Sequence, residues 1–430
     1  MPAIASSLLR TLVFVVDRVM LGHHSPASLA AMQLAGPVEW SVLSIFLAFE
    51  VGTLARVGNL VGKGDTASAR RAIVASLGLA VVLGFGLLAA SPLVGVVLPL
   101  AAPHASIAVV EASSAYLSIT LAASPLAFVS AAATASLQAS GDTRTSLAIG
   151  TLANIVHVAV NRVLIMGAFG VPAMGARGAG ISMAITFAIE ASLGVAALTR
   201  PGGAVSLRRT SGRTQRGGYV AELRAIGRVG LPSMLERIVY HTGFLAYVGV
   251  IASLGDASMA ANQALISIES ICFLSGDGFG VAAASIVARR IGASRPAEAR
   301  QAMLLSARWA AILLTVFGLA ALLLRGVLLP MFSSLPEVCD IGSRSMPVLA
   351  LAQPFMAVGI VLSQSLRGAG RTRAALLVSL VGALLVRVSC TWLFAIEWHL
   401  GLTGVWMGST ADWIVRSALL FWLSRKPQSA

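Results

Sequence analysis

The stretch RPGGAVSLRRTSGRTQRGGYVAELRAIGR, residues 200–228, is the least apolar of the chain and divides it. It carries Arg200, Arg208, Arg209, Arg213, Arg216, Arg224 and Arg228, with glycine pairs between them. The sequence on either side is almost continuously apolar, and the second part repeats the first. A shift of 230 positions places Pro2 on Pro232, Ala30, Ala31 and Gln33 on Ala260, Ala261 and Gln263, and Glu39 on Glu269. It also places Phe49 on Phe279, Gly62 on Gly292 and Arg70 on Arg300. Further on the shift is 229: Pro125 meets Pro354, Leu137 meets Leu366, Gly141 meets Gly370, and Thr143-Arg144 meets Thr372-Arg373. The basic stretch is the joint between two copies of one unit. The expected organisation is a first lobe over 1–199, a basic linker over 200–228 and a second lobe over 229–430.

Composition says what surrounds these lobes. Of 430 residues, 57% are hydrophobic and 11% are charged, against about 25% charged in a soluble domain. The mean hydropathy is +0.87. A soluble core would need a charged exterior that this chain lacks, so its solvent is lipid. Long apolar runs without period-two alternation make the spans helices rather than barrel strands. The three cysteines, Cys272, Cys339 and Cys390, have no metal-ligand spacing. The net charge of +14 comes mostly from arginines, which sit between apolar runs without interleaved aromatics. That pattern fits a membrane and not nucleic acid.

Twelve spans are expected, at 2–21, 32–60, 72–98, 106–137, 146–168, 175–199, 229–252, 260–288, 302–329, 343–366, 374–396 and 403–424. A helix needs about 20 residues to cross the hydrocarbon. The connections alternate in charge. One set holds Lys63, Arg70, Arg71, Arg144, the arginines of the joint, Arg289, Arg290, Arg295, Arg300, Arg367, Arg371, Arg373, Arg425 and Lys426. The other holds Arg177, Arg325 and Arg344. The positive-inside rule makes the first set cytoplasmic, and with it both termini and the joint. Six spans per copy make the copies parallel repeats, a transporter layout. Arg10 and Asp17 in the first apolar run, with no basic lead before it, argue against a cleaved signal peptide.

Charged groups inside such spans cost about 2.5 kcal/mol or more at the bilayer centre, so each needs a partner or a function. Asp17 is the first candidate for carrying a proton across; the plain alternative is a static pair with Arg18 or Arg10. Glu39 and Glu50, eleven residues apart on one continuous helix, would share a face roughly 16 Å long at ~1.5 Å per residue. Glu269 is the repeat mate of Glu39, and Asp277 lies two turns further on. Together the four acids suit a cleft for cations, or else neutralise Arg56, Arg237 or Arg308. His157 and Asn161, at i and i+4, face the same way on the fifth span. Histidine titrates near pH ~6.5 when unperturbed, so His157 could relay protons with Asp17, or simply pack. On the seventh span, Glu236 with Tyr240 and Arg237 with His241 stand at i,i+4 spacing, fit for substrate contact or for mutual satisfaction. Asp412 and Arg416 fit a structural ion pair. Glu190, Arg308 and Arg387 have no assigned partner. Phe46, Phe49, Phe128, Phe273, Phe279, Phe355 and Met356 are candidates for an apolar cleft lining.

At several of these places the chain resembles the multidrug and toxic compound extrusion (MATE) family. Val16-Asp17-Arg18-Val19-Met20-Leu21-Gly22 followed by Leu29-Ala30-Ala31 resembles that family's first span and loop. Gly52 to Asp65 (GTLARVGNLVGKGD), then Ala69-Arg70-Arg71, is similar to the end of the second span and its loop. Leu366 to Arg373 (LRGAGRTR) resembles the loop after the tenth span, with Leu137 to Arg144 (LQASGDTR) as its degenerate partner. The resemblance implies a two-lobed secondary antiporter that exports cationic or amphipathic compounds and takes in protons or sodium ions. It also implies a first-span aspartate at Asp17. Two second-lobe carboxylates of some branches are absent, their places being Tyr240 and Met356. The chain is closest to the DinF-like branch, whose first lobe carries the coupling site; there Asn161 takes the place of an aspartate and His157 that of an asparagine.

The expected function is therefore multidrug efflux by a monomeric inner-membrane antiporter, with Asp17, His157 and Asn161 in ion coupling. Glu39, Glu50, Glu236, Tyr240, Glu269 and Asp277 are substrate-cleft candidates. The partners are a small-molecule substrate and membrane lipid, with no nucleic acid, metal or cofactor beyond H+ or Na+. Two alternatives remain open: a lipid-linked oligosaccharide flippase, which needs arginines such as Arg10, Arg56 and Arg162 in its cleft, and a non-transporting membrane scaffold. Enzyme signatures are missing: no GxGxxG after a strand, no phosphate-binding Walker loop and no HExxH.

Overall fold

The computed structural model describes residues 16–18, 20–101, 106–201, 205–208, 216–333 and 335–425. Most of the first expected span, with Arg10, lies outside the described residues, as do Arg209, Arg213 and Lys426. Helix α1 is described over 16–18 and 20–24. The first lobe continues with α2 (Pro26–Phe46, resumed as Phe49–Gly62), α3 (Thr66–Ala90, carried on to Ala101), α4 (Ile107–Ala122 and Ser124–Ser140), α5 (Thr143–Met166) and α6 (Gly175–Leu198). The second holds α7 (Arg216–Ala252), α8 (Asp256–Gly292), α9 (Pro296–Leu323), α10 (Pro336–Gly368), α11 (Thr372–Glu397) and α12 (Gly401–Arg425). Eight helices are long and apolar enough to span a membrane, and the two parts of α4 make a ninth. With α1, α7 and α12 the fold is all-α, with twelve transmembrane helices in two six-helix lobes.

The chain divides into two compact units at Arg228 and Val229. The expected linker is not all loop: from Arg216 onward it is already helix α7. Arg56 of α2 donates to both carboxylate oxygens of Glu222, at 2.6 and 3.0 Å. Arg70 donates to the Ser206 carbonyl at 2.8 Å. These three bonds fasten the basic stretch to the first lobe.

Local signals set the helix ends. Asp65 and Asp142 cap α3 and α5 by accepting the backbone N–H of Ser68 (2.9 Å) and Thr145 (3.1 Å). The Ser68 hydroxyl and N–H hold the Asp65 carboxyl below the usual aspartate range. The repeat also recurs in the backbone. Gly141 and its mate Gly370 both turn with positive φ, at 96° and 78°. Gly64 does so at 77°, and its mate Ser294 keeps φ at 59° although it is no longer a glycine.

The lobes differ in their breaks. The second expected span has a two-residue turn at Leu47 and Ala48, both right-handed, but runs on as one span over Leu34–Gly62. Helix α4 bends by 51° at Ala123. Pro125 follows the bend, and Gly84 of α3 lies so close that a Cβ there would sit 2.4 Å from the Pro125 Cα. The mate, Pro354, lies inside the unbroken α10, which packs on α8, α9 and α12. Phe128 is fully buried and touches Phe46 and Phe49, with ring centroids 6.4 and 6.2 Å away. Met356 is buried in the core of the second lobe. Phe128 and Met356 are therefore packing residues and not a cleft lining.

Candidate functional site

In the first lobe, α1, α5 and α6 bring one polar cluster together among apolar neighbours. The i,i+4 spacing on α5 sets Asn161 Nδ2 3.0 Å from His157 Nε2. Both point at Asp17 of α1. His157 Nε2 lies 3.1 Å from each carboxylate oxygen, and Asn161 Nδ2 donates a short hydrogen bond to Oδ1. The other ring nitrogen, Nδ1, meets Thr186 Oγ1 at 2.8 Å and Ser182 Oγ at 3.2 Å, both from α6. His157 and Asn161 are buried, whereas the Asp17 side chain keeps 18% exposure and is the group a proton can reach.

The directions of these bonds limit where the protons lie. The Thr186 hydroxyl donates to the Ser182 carbonyl at 2.8 Å, and the Ser182 hydroxyl donates to the His157 carbonyl at 3.2 Å. Both hydroxyls therefore offer lone pairs to Nδ1, and Nε2 faces a carboxylate. This arrangement accepts a ring protonated on both nitrogens against an ionised Asp17, or a neutral ring against a protonated Asp17. Asn161 Oδ1 is buried with no hydrogen-bond partner.

The other sequence candidates fall at separate places. Glu39 accepts from the Tyr116 hydroxyl at 2.7 Å. Tyr116 and Asp17 both interact electrostatically with Arg18. Glu50 has polar contacts of its own. Glu269 lies beside Gln353 and within electrostatic reach of Arg387. Glu236 does not turn to Tyr240. It accepts from Ser379 at 2.9 Å and lies 3.4 Å from Arg367 Nη1. The Tyr240 ring instead meets the His241 ring edge-on, with centroids 5.7 Å apart. Asp277 accepts from Gln364 at 2.8 Å. Asp412 is shared by two arginines: Arg387 donates at 2.8 Å and Arg416 at 2.5 and 2.7 Å, all three side chains being buried. Among the described residues no group of three or more His, Cys, Asp or Glu could hold a metal ion.

Thr186, Ser182 and Tyr116 were missed from the sequence. Small hydroxyls among alanines and glycines carry no signal until a helix crossing places them on a ring nitrogen.

Repeated membrane lobes with a carboxylate–imidazole pair inside one of them define a membrane transporter and not an enzyme. The MatE family model matches the chain twice, over residues 2–163 and 232–393, one match in each half. The chain belongs to this family, that of the multidrug and toxic compound extrusion transporters. A probable multidrug resistance protein NorM of Thermotoga maritima is 28% identical over 435 residues, covering 99% of this chain and 91% of its own. One from Pseudomonas aeruginosa is 29% identical over 427 residues, covering 95% and 84%. Among solved structures, an outward-facing multidrug resistance MATE family transporter of the MOP superfamily superposes with a TM-score of 0.88 at 20% identity, covering 99% of this chain and 93% of that one. A MOP superfamily transporter from Pyrococcus furiosus, whose binding pocket is of reversed polarity, gives the same TM-score, identity and coverage.

Proposed function

We propose that this protein is a secondary antiporter that exports cationic or amphipathic small molecules and is driven by inward proton movement. Its relatives' names make multidrug efflux the natural cargo class. The carrying observation is the Asp17–His157–Asn161 cluster: a partly accessible carboxylate held between a buried imidazole and a buried amide. A proton arriving from outside neutralises Asp17, and the lobes exchange the side to which they open. Loss of that proton inside restores the charge. Asp17 is the coupling residue, His157 its proton partner and Asn161 the donor that orients the carboxylate. First-lobe coupling of this kind agrees with the DinF-like branch.

One observation favours sodium as a second reading. Asn161 Oδ1 is an unpartnered oxygen beside Asp17, and hard cations take oxygen ligands. The nitrogens around the carboxylate favour the proton. The flippase reading is disfavoured because Arg56, one of its phosphate-binding candidates, is committed to Glu222. The charge of the connections supports both termini and residues 200–228 being cytoplasmic, in a protein of the plasma membrane. It works as a monomer in contact with lipid and needs no cofactor besides the coupling ion.

The test is ethidium efflux from proteoliposomes under an imposed pH gradient or an imposed sodium gradient. Efflux should follow the pH gradient and fall about 100-fold or more in Asp17→Asn, as for other essential proton-transfer groups. Efflux driven by sodium alone, or unchanged in the variant, would overturn the reading.

A further inference from the structure

The second lobe has an open recess of about 620 Å³, mouth included, walled by α7, α8, α10, α11 and α12. Its charged lining is Glu236, Arg237, Asp277, Arg367 and Arg416, three guanidinium groups against two carboxylates. Four of these five have hydrogen-bond partners of suitable sign. Glu236 has Ser379 on Oε1 and an ion pair to Arg367 on Oε2, which makes no hydrogen bond; Asp277 has Gln364, Arg367 has Ser363 at 3.1 Å, and Arg416 has Asp412. Arg237 makes no hydrogen bond or ion pair among the described residues. Two of the groups near enough to act on it electrostatically are themselves basic, His241 and Arg367.

A guanidinium left unpaired in a partly desolvated recess attracts an anion, and its fork of donors matches a carboxylate or phosphate. The walls beside it are aromatic and apolar: Tyr240, Phe273 and Trp413, with Ile360 and Val378. That combination of apolar wall and one directed polar group is how small-molecule sites select an amphipathic ligand. A cationic ligand finds less here. Asp277 already accepts from Gln364, Glu236 is held by Arg367, and the lining is positive by one charge. We propose that this recess is a binding site for an amphipathic anion, an aromatic body carrying one acidic group, anchored by Arg237. The site goes beyond the export reading, and its failure would leave proton coupling at Asp17 untouched.

The test uses the full chain purified in a neutral detergent. Equilibrium dialysis compares 2-naphthoate, the cationic 2-naphthylmethylamine and the uncharged 2-naphthalenemethanol. Naphthoate should bind about tenfold or more tightly than the amine, the scale of one charge-assisted pair. Arg237→Gln should remove that preference, and Arg237→Lys should keep part of it. Alcohol binding, equal in all three proteins, verifies that the recess is folded. Competition from phosphatidylglycerol in mixed micelles would identify a lipid headgroup as the source of the anion, and its absence a soluble anion; both outcomes keep the assignment. Tighter binding of the amine, or naphthoate binding indifferent to Arg237→Gln, would overturn it.

Discussion

The same helix crossing is built twice in this molecule and charged differently each time. Gly178 of α6 lies against Leu164 and Ile165 of α5, so that a Cβ would meet their backbone at 2.6–3.1 Å. Gly404 of α12 lies in the same way against Phe394 and Ala395 of α11, at 2.5–2.6 Å. In α11 the π-helical turn Leu380–Val386 takes up one extra residue, which brings the repeat shift from 229 back to 230. At 230, Arg387 stands where His157 stands and Tyr247 where Asp17 stands; on α12 the matched glycines Gly178 and Gly404 set a shift of 226, which puts Asp412 where Thr186 stands. The contacts correspond: His157 bridges Asp17 and Thr186, and Arg387 reaches the Tyr247 ring at 5.7 Å and Asp412 at 2.8 Å. One backbone frame thus holds a titratable pair in the first lobe and a permanent ion pair in the second. An arginine does not release its proton at physiological pH. Under the proposed coupling at Asp17, the first lobe exchanges a proton at this place and the second does not.

The permanent lobe should yield the largest effect on stability. Asp412→Ala leaves buried Arg387 and Arg416 without their hydrogen-bonded counter-charge, and should lower the unfolding free energy by about 3–5 kcal/mol. Reversible unfolding in mixed micelles reads this directly. A loss no greater than that of Asp17→Ala would erase the contrast between the lobes. Tyr116→Phe takes the donor from Glu39 in a partly buried place and should destabilise by about 1–3 kcal/mol, seen in the same assay. A neutral result would mean that water or Arg18 replaces the hydroxyl. The smallest effect is expected at the repeated turn. Ser294→Gly relieves a positive φ that Gly64 already accommodates, and should stabilise by about 1 kcal/mol. Destabilisation would show that the Ser294 side chain earns its strain through a contact.

The two-lobed helical fold was legible in the sequence because a repeat and an apolar pattern are properties of the chain alone. His157 and Asn161 were legible together because i,i+4 spacing is local, whereas the relay of His157 with Asp17 was suggested by residue chemistry and by no spacing. The rest depends on crossings. Arg387 meets Asp412 at a separation of 25 residues, Glu39 meets Tyr116 at 77 and Arg56 meets Glu222 at 166. No local spacing signals such pairs. The slight turn at Leu47–Ala48 within the second span was likewise hidden, since neither residue breaks a helix by type. Reading Glu236 with Tyr240 by spacing failed because Ser379 and Arg367, brought in by helix crossings, take the carboxylate instead.

The central claim of the proposed mechanism is that the exchanged proton of the coupling site sits on Asp17 and not on Glu236 or Asp277 of the second lobe. Infrared difference spectroscopy across a pH step, on the reconstituted protein, sees protonated carboxyl groups by their C=O stretch. The account predicts a band that vanishes in Asp17→Asn, moves in His157→Gln, and is unchanged in Glu236→Gln and Asp277→Asn. A band that survives Asp17→Asn and disappears with Glu236→Gln or Asp277→Asn would place the exchanged proton in the second lobe and contradict it.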